Sequence, residues 1–181
     1  MSTLLLIRHA ESAAVPEQPE SEWPLTDHGV EQAVELVLSL GHYPVTAFYA
    51  SPYRRAVATL QPLAEHLRAS VSVVPDLRER RLAGKLMPDW RERLEASWAD
   101  FDLTLPDGES ARECQRRVVG ALEGLVMRHP DETIAACSHG NAIALFLNAI
   151  DASVGFAAWA SMKNPHIFTC RPTNDGWVFD G

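Results

Sequence analysis

The stretch Leu4-Leu5-Leu6-Ile7-Arg8-His9-Ala10-Glu11-Ser12 breaks from four consecutive aliphatic residues into a cation, an imidazole and a short polar turn. An apolar run of that length, bounded by polar residues, suits a strand buried on both faces, as an N-terminal strand in the middle of a parallel sheet would be. Open α/β sheets hold their ligands in the crevice outside the carboxyl ends of the strands. Arg8 and His9 are therefore expected to emerge where a ligand would lie.

Further along, apolar runs deliver polar residues in the same way. Val45 to Ala50 ends in Ser51-Pro52-Tyr53-Arg54-Arg55, and Thr133 to Cys137 ends in Ser138-His139-Gly140-Asn141. A short strand, Val71 to Val74, precedes Asp76-Leu77-Arg78-Glu79-Arg80-Arg81-Leu82-Ala83-Gly84-Lys85, which is more charged than a simple connection needs. Helical spacing fills the intervals. Thr26 is an N-cap candidate for a helix with Val30, Ala33, Val34, Val37 and Leu38 on its expected inner face and Gly41 at its end. Ala56, Leu60, Leu63 and Leu67 mark a second helix, which Pro62 is expected to kink or interrupt. Pro88 to Phe101 is a third. A long helix runs to about Arg128 with Val118, Val119, Leu122, Leu125 and Val126 inward, and Ala142 to Ile150 is apolar nearly all round, as a central helix would be. Ile167 to Arg171 and Trp177 to Phe179, joined through Asn174-Asp175-Gly176, predict a β-hairpin. Strands alternating with helices make the class α/β. Residues 1–181 are expected to form one domain.

The chain carries 16 Lys and Arg against 24 Asp and Glu, a formal net charge of −8. That balance argues against nucleic acid or an anionic membrane as partner, so any bound anion requires a local cluster of arginines. Three cysteines, Cys114, Cys137 and Cys170, sit apart in apolar or periodic segments and are expected to be free thiols. No apolar run is long enough for a membrane span. These readings predict a cytoplasmic protein; oligomeric state leaves no trace in the sequence.

A lone Arg-His pair at a strand end is more often a solvated turn than a site. The ordered set carries more weight. Arg8-His9, Ser51 to Arg55, Leu77-Arg78-Glu79 and Ser138-His139-Gly140 together resemble the histidine phosphatase superfamily, the phosphoglycerate-mutase-like fold. Pro24-Leu25-Thr26 with Gly29 and Gln32-Ala33 resembles that family's segment after the nucleophile loop, and Gly108-Glu109-Ser110 is typical of its small phosphatase branch. The resemblance spans Leu4 to Phe146. It implies a three-layer α/β/α sandwich around a mostly parallel sheet. By the same resemblance His9 matches the nucleophile that becomes phosphorylated, Arg8 and Arg55 the phosphate-binding arginines, His139 the second histidine of the pocket, and Glu79 the carboxyl group acting as acid and base. The implied activity is metal-independent hydrolysis of small phosphorylated metabolites through a phosphohistidine, with no cofactor.

Elementary chemistry agrees with these roles. Two guanidinium forks can hold the non-bridging oxygens of a phosphomonoester while cancelling its charge. An imidazole attacks only when neutral, and a neighbouring arginine keeps it so. A carboxyl group with a raised pKa can protonate a leaving alkoxide and then deprotonate water. His139, if protonated, would add a third positive donor, and the N-terminus of the helix behind it would favour an anion.

Two departures from the family pattern stand out: Ala10 replaces the usual glycine after the nucleophile, and Val15 stands where the family often has a phosphate-touching asparagine. Asn141 is a candidate to compensate, and Ser12 a candidate to offer a hydroxyl. Arg80, Arg81 and Lys85 are candidates for contacts beyond the phosphate. Competing readings are a bisphosphate-dependent phosphoglycerate mutase, a phosphohistidine or phosphoprotein phosphatase, and a phosphate-binding module without catalysis. A metal site of His9, His139 and Glu79 is disfavoured by the two nearby arginines.

Overall fold

The computed structural model describes residues 1–84 and 87–181; Lys85 lies outside the described residues. The strands are β1 (Thr3–Arg8), β2 (Val45–Ala50), β3 (Val71–Val73), β4 (Thr133–Ser138), β5 (His166–Thr173) and β6 (Gly176–Asp180). They form one sheet in the order β3-β2-β4-β1-β5-β6. Neighbours from β3 through β1 are parallel, whereas β5 and β6 join antiparallel as a terminal hairpin. β1 is thus central but mixed in its pairing: Leu6 faces Ala136 on the parallel side and Phe168 on the antiparallel side.

Alternation along β1 divides the core in two. Leu4 and Leu6 join a cluster with Val118, Leu122, Leu125 and Phe146. Those partners come from α4 (Ala111–Arg128) and α5 (Gly140–Ile150). Leu5 and Ile7 point to the opposite face, where they meet Leu36, Leu40, Leu60 and Leu63. Those belong to α1 (Asp27–Leu40) and α2 (Arg54–His66). Helices on both faces of a mostly parallel sheet are the expected three-layer sandwich. Cys114, Cys137 and Cys170 are free and buried. α3 (Trp90–Ala99) lies within the predicted Pro88 to Phe101 segment, and α6 (Phe156–Ser161) is a short helix that the sequence reading did not anticipate. Among the described residues no helix is long and apolar enough to cross a membrane.

Two helix expectations need correction. In α1 the buried residues are Gly29, Ala33, Leu36 and Leu40. Val30, Val34 and Leu38 are instead exposed, at 53%, 52% and 82%. Both sets keep helical spacing, and the contact between α1 and the turn after β1 selects between them. An ideal Cβ on Gly29 would lie 2.0 Å from the Glu11 carbonyl oxygen, so the glycine face must be the one pressed inward. Thr26 caps the helix as predicted, its hydroxyl accepting the Gly29 N–H. The second concerns the interruption allowed for at Pro62, which instead lies inside a continuous α2. Ala56, Thr59, Leu60, Leu63 and Ala64 are buried on both sides of it, and this packing holds the helix together across the missing donor.

Candidate active site

His9 follows β1 directly. Its backbone N–H continues the parallel ladder to the Ser138 carbonyl at 3.1 Å. The Ala10 N–H is accepted by the Thr59 hydroxyl at 2.9 Å, and Asn164 donates to the His9 carbonyl at 2.7 Å. The imidazole is fixed as well. Nδ1 lies 2.7 Å from the Ala10 carbonyl oxygen, an acceptor only, so this nitrogen carries the proton. Nε2 is left with its lone pair, towards which the Nε–H of Arg55 points at 3.1 Å. Burial, then Arg55, and more weakly Arg8, push the His9 pKa down to about 3. The ring is neutral at physiological pH.

His139 follows β4 and stands edge-on to His9, with ring centroids 5.1 Å apart. Its Nε2 lies 2.7 Å from the Ser51 hydroxyl, which itself accepts the Tyr53 N–H at 3.2 Å. His139 Nδ1 is buried without a protein partner, and it carries the ring proton when the Ser51 hydroxyl donates to Nε2. Burial, with His9 and Arg55 beside it, holds the His139 pKa well below its ordinary value. The protonated form that would make His139 a third positive donor is therefore disfavoured in the ligand-free protein.

The two arginines converge from separate elements. Arg8 ends β1 and donates through Nη1 to the Met162 carbonyl, while its Nε is buried and unpartnered. An ideal Cβ on Gly140 would fall 3.2 Å from the Arg8 Cζ, so glycine there makes room for the guanidinium. Arg55, in the first turn of α2, is buried, whereas its neighbour Arg54 is exposed. All three nitrogens of Arg55 are engaged. Nε meets His9, and Nη1 and Nη2 each donate at 2.7 Å to the carbonyl and carboxylate of Glu20. Glu20 belongs to the segment between β1 and α1, which contains Pro16, Pro19 and Pro24. That segment is folded on itself by the Trp23 indole, which donates to the carbonyls of Val15 and Gln18.

Glu79 sits at the amino end of α5. Its carboxylate accepts from the backbone N–H groups of Arg80, Asn141 and Ala142 at 2.7, 3.2 and 3.1 Å. The helix end expected to attract a phosphate is thus capped by Glu79 itself. Burial raises the Glu79 pKa, and the like charge of Glu20 adds to the rise, against the lowering by those backbone donors. Asn141 is buried with its Oδ1 unpartnered. Ser12 pairs with Leu25 in an isolated β-bridge, a main-chain role. The Arg80 side chain is buried and bonded to the Glu109 carbonyl and the Ser97 hydroxyl, and Arg81 is exposed. Among the described residues no group of three or more His, Cys, Asp or Glu side chains is placed to hold a metal ion.

His9, His139, Arg8, Arg55 and Glu79 are therefore gathered at the carboxyl ends of β1, β2 and β4 and the turn after β3. Arg8 Nε and His139 Nδ1 are buried without protein partners in the same cluster as the His9 Nε2 lone pair, and with the arginines they form a site suited to a tetrahedral oxyanion. The family model of the histidine phosphatase superfamily, branch 1, matches residues 4–181. The chain belongs to the histidine phosphatase superfamily. The match extends the resemblance read from Leu4 to Phe146 through the terminal hairpin. Within this superfamily the chain is 30% identical to a metal-independent phosphoserine phosphatase of Arabidopsis thaliana, over 98% of this chain and 81% of that protein. It is 28% identical to a probable phosphoglycerate mutase of Cronobacter sakazakii, over 90% of this chain and 80% of that one. An Entamoeba histolytica phosphoserine phosphatase mutant, solved in complex with phosphoserine, has the same fold: TM-score 0.81, 21% identity, 100% of this chain and 96% of that chain covered.

Several supporting residues escaped the sequence reading. Ser51 lies in the turn directly after β2, and its position beside a strand end is the available signal. Thr59 is one helical turn beyond Arg55, where its hydroxyl also donates to the Arg55 carbonyl. Glu20 and Asn164 gave no local signal, because their contacts depend on where a connecting segment is laid down.

Proposed function

We propose that this chain hydrolyses small phosphomonoesters through a phosphohistidine on His9, without a metal. The observation carrying this reading is the state of the His9 ring: neutral, with Nδ1–H held by the Ala10 carbonyl and the Nε2 lone pair facing Arg55. Arg8 Nε, His139 Nδ1 and the outer nitrogens of Arg55 hold the non-bridging oxygens, Glu20 giving way to the substrate. Nε2 attacks phosphorus, the P–N bond forms and the P–O bond to the leaving group breaks. Glu79, whose pKa burial raises against its backbone donors, is the group placed to give a proton to the departing alkoxide. Water then attacks phosphorus, Glu79 recovers a proton from it, the P–N bond breaks and inorganic phosphate leaves. Preorganised donors around the phosphoryl group supply most of the stabilisation, and loss of one is expected to cost about 3 to 4 kcal/mol.

The substrates proposed are small phosphorylated metabolites, phosphoserine among the first to try given the Arabidopsis relative. The relative named as a probable phosphoglycerate mutase favours one second reading, in which the phosphoryl group returns to a substrate hydroxyl. Wild type and His9→Ala are to be assayed for phosphate release with chelator present, on p-nitrophenyl phosphate and then on sugar phosphates, phosphoglycerates, nucleotides and phosphoserine. Turnover by wild type with at least a thousandfold loss in the variant is expected. Equal activity in both would sink the proposal, and isomerisation of phosphoglycerate stimulated by bisphosphoglycerate, with little phosphate release, would move it to the mutase.

A further inference from the structure

Gly108-Glu109-Ser110 has no part in the chemistry proposed above, yet each of its residues meets a defined demand. An ideal Cβ on Gly108 would fall 2.3 Å from the Leu82 carbonyl oxygen, so glycine lets this loop press against the segment following Glu79. Ser110 caps α4 in a capping box with Glu113. Glu109 pairs with Arg117, about two turns into that helix. Two bonds of 2.6 Å join their fork and carboxylate, and the side chains are only 13% and 10% exposed. Held this way, Arg117 donates through Nη1 to the carbonyls of Asp76 and Arg78 at 2.8 and 2.9 Å, and through Nη2 to that of Glu79 at 3.2 Å. The main chain of Glu109 grips the other side of the turn: its N–H donates to the Arg81 carbonyl at 2.7 Å, and its carbonyl accepts from Arg80 Nε at 3.0 Å.

We propose that Glu109 and Arg117 are a positioning pair for Glu79. One guanidinium gathers the carbonyls of the turn that carries Glu79, and the Glu109 carboxylate fixes the plane and direction of that guanidinium. The Glu79 carboxyl group is thereby delivered to the amino end of α5 beside His139. A displacement of about 1 Å at a proton donor can cost about a hundredfold in rate. Loosening the pair should therefore fall on the proton-transfer step rather than on phosphate binding. This inference rests on the reading of Glu79 as acid and base.

The test compares wild type, Arg117→Met, Arg117→Lys, Glu109→Gln and Glu79→Gln on two esters: p-nitrophenyl phosphate, whose leaving group scarcely needs a proton, and the best alkyl phosphate that wild type turns over. Arg117→Met is expected to lose about tenfold more kcat on the alkyl ester than on the aryl ester, with KM little changed. Glu109→Gln should show a smaller excess, and Arg117→Lys should recover part of it. A pair that only stabilises the fold would lower both esters alike, and equal losses or no losses would overturn the proposal. If Arg117→Met does not fold, the ratio between esters in Arg117→Lys and Glu109→Gln decides. Glu79→Gln separates the two levels. If it loses equally on both esters, the acid-base reading fails and the positioning role with it; a selective Glu79→Gln beside unselective Glu109 and Arg117 variants overturns the positioning role alone.

Discussion

Arg55 meets Glu20 before any substrate arrives, and this contact sets a competition. The Glu20 carboxylate lies 2.7 Å from Nη2 on a guanidinium that is otherwise buried, while Glu20 itself is 46% exposed. An ion pair with one partner that open to water is worth at most about 1 kcal/mol, or roughly a fivefold change in affinity for an anion that must displace it. Glu20→Gln is therefore expected to tighten competitive inhibition by inorganic phosphate up to about fivefold. A second effect has a fixed sign. Glu20 raises the Glu79 pKa by like charge, so its removal lowers that pKa. The alkaline limb of kcat/KM on an alkyl phosphate, which reports the acid in the free enzyme, should then move to lower pH. Unchanged phosphate inhibition together with an unmoved limb would show that Glu20 does not compete at the site.

The elements show why some features could be read in advance and others could not. Strand ends that carry Arg8-His9, Arg55 and Ser138-His139 are contiguous in sequence, so an apolar run followed by a cation or imidazole marks each strand end, and the ordered set with its family resemblance marks them as a site. The phase of α1 was not contained in its own periodicity. Residues 29, 33, 36 and 40 and residues 30, 34 and 38 are both helical stripes, rotated from each other by one residue, about 100°. Gly29 decides between them through the turn after β1, a contact between segments rather than a property of either. Gly29→Ala should force α1 off the Glu11 carbonyl and lower stability by about 1 to 3 kcal/mol. Gly120, on the exposed face of α4, is a control of opposite sign: an added Cβ meets nothing within 4 Å. Gly120→Ala should raise stability by about 0.5 to 1 kcal/mol, since it removes only the entropy cost of a helical glycine. Urea midpoints at constant slope measure both, and a neutral Gly29→Ala would mean that α1 is free to slide.

For the whole molecule, the consequence of gathering this site is a pair of histidines held neutral in the interior. His9 is pushed down to about 3 and His139 lies well below its ordinary value, whereas both return to about 6.5 in the unfolded chain. Between about pH 6.5 and about pH 3 the unfolded state therefore binds more protons at these positions than the native state does. Stability must rise with pH across that window, so it is fully present above about 6.5 and lost progressively as the solution is acidified. Glu79 acts in the opposite sense, because its raised pKa lets the native state keep a proton that the unfolded chain has released. Two histidines against one carboxyl leave the net slope positive. Several carboxylates with lowered pKa, among them Asp102 and Glu113, are solvated at the surface and contribute little. Denaturant midpoints measured from pH 7 down to pH 4 should fall steadily in wild type and less steeply in His139→Gln. The comparison is of slopes, so a uniform loss of stability in the variant does not disturb it. A variant slope equal to that of wild type would mean that His139 gains its proton in the folded protein as readily as in the unfolded chain, and that burial does not keep the second histidine neutral.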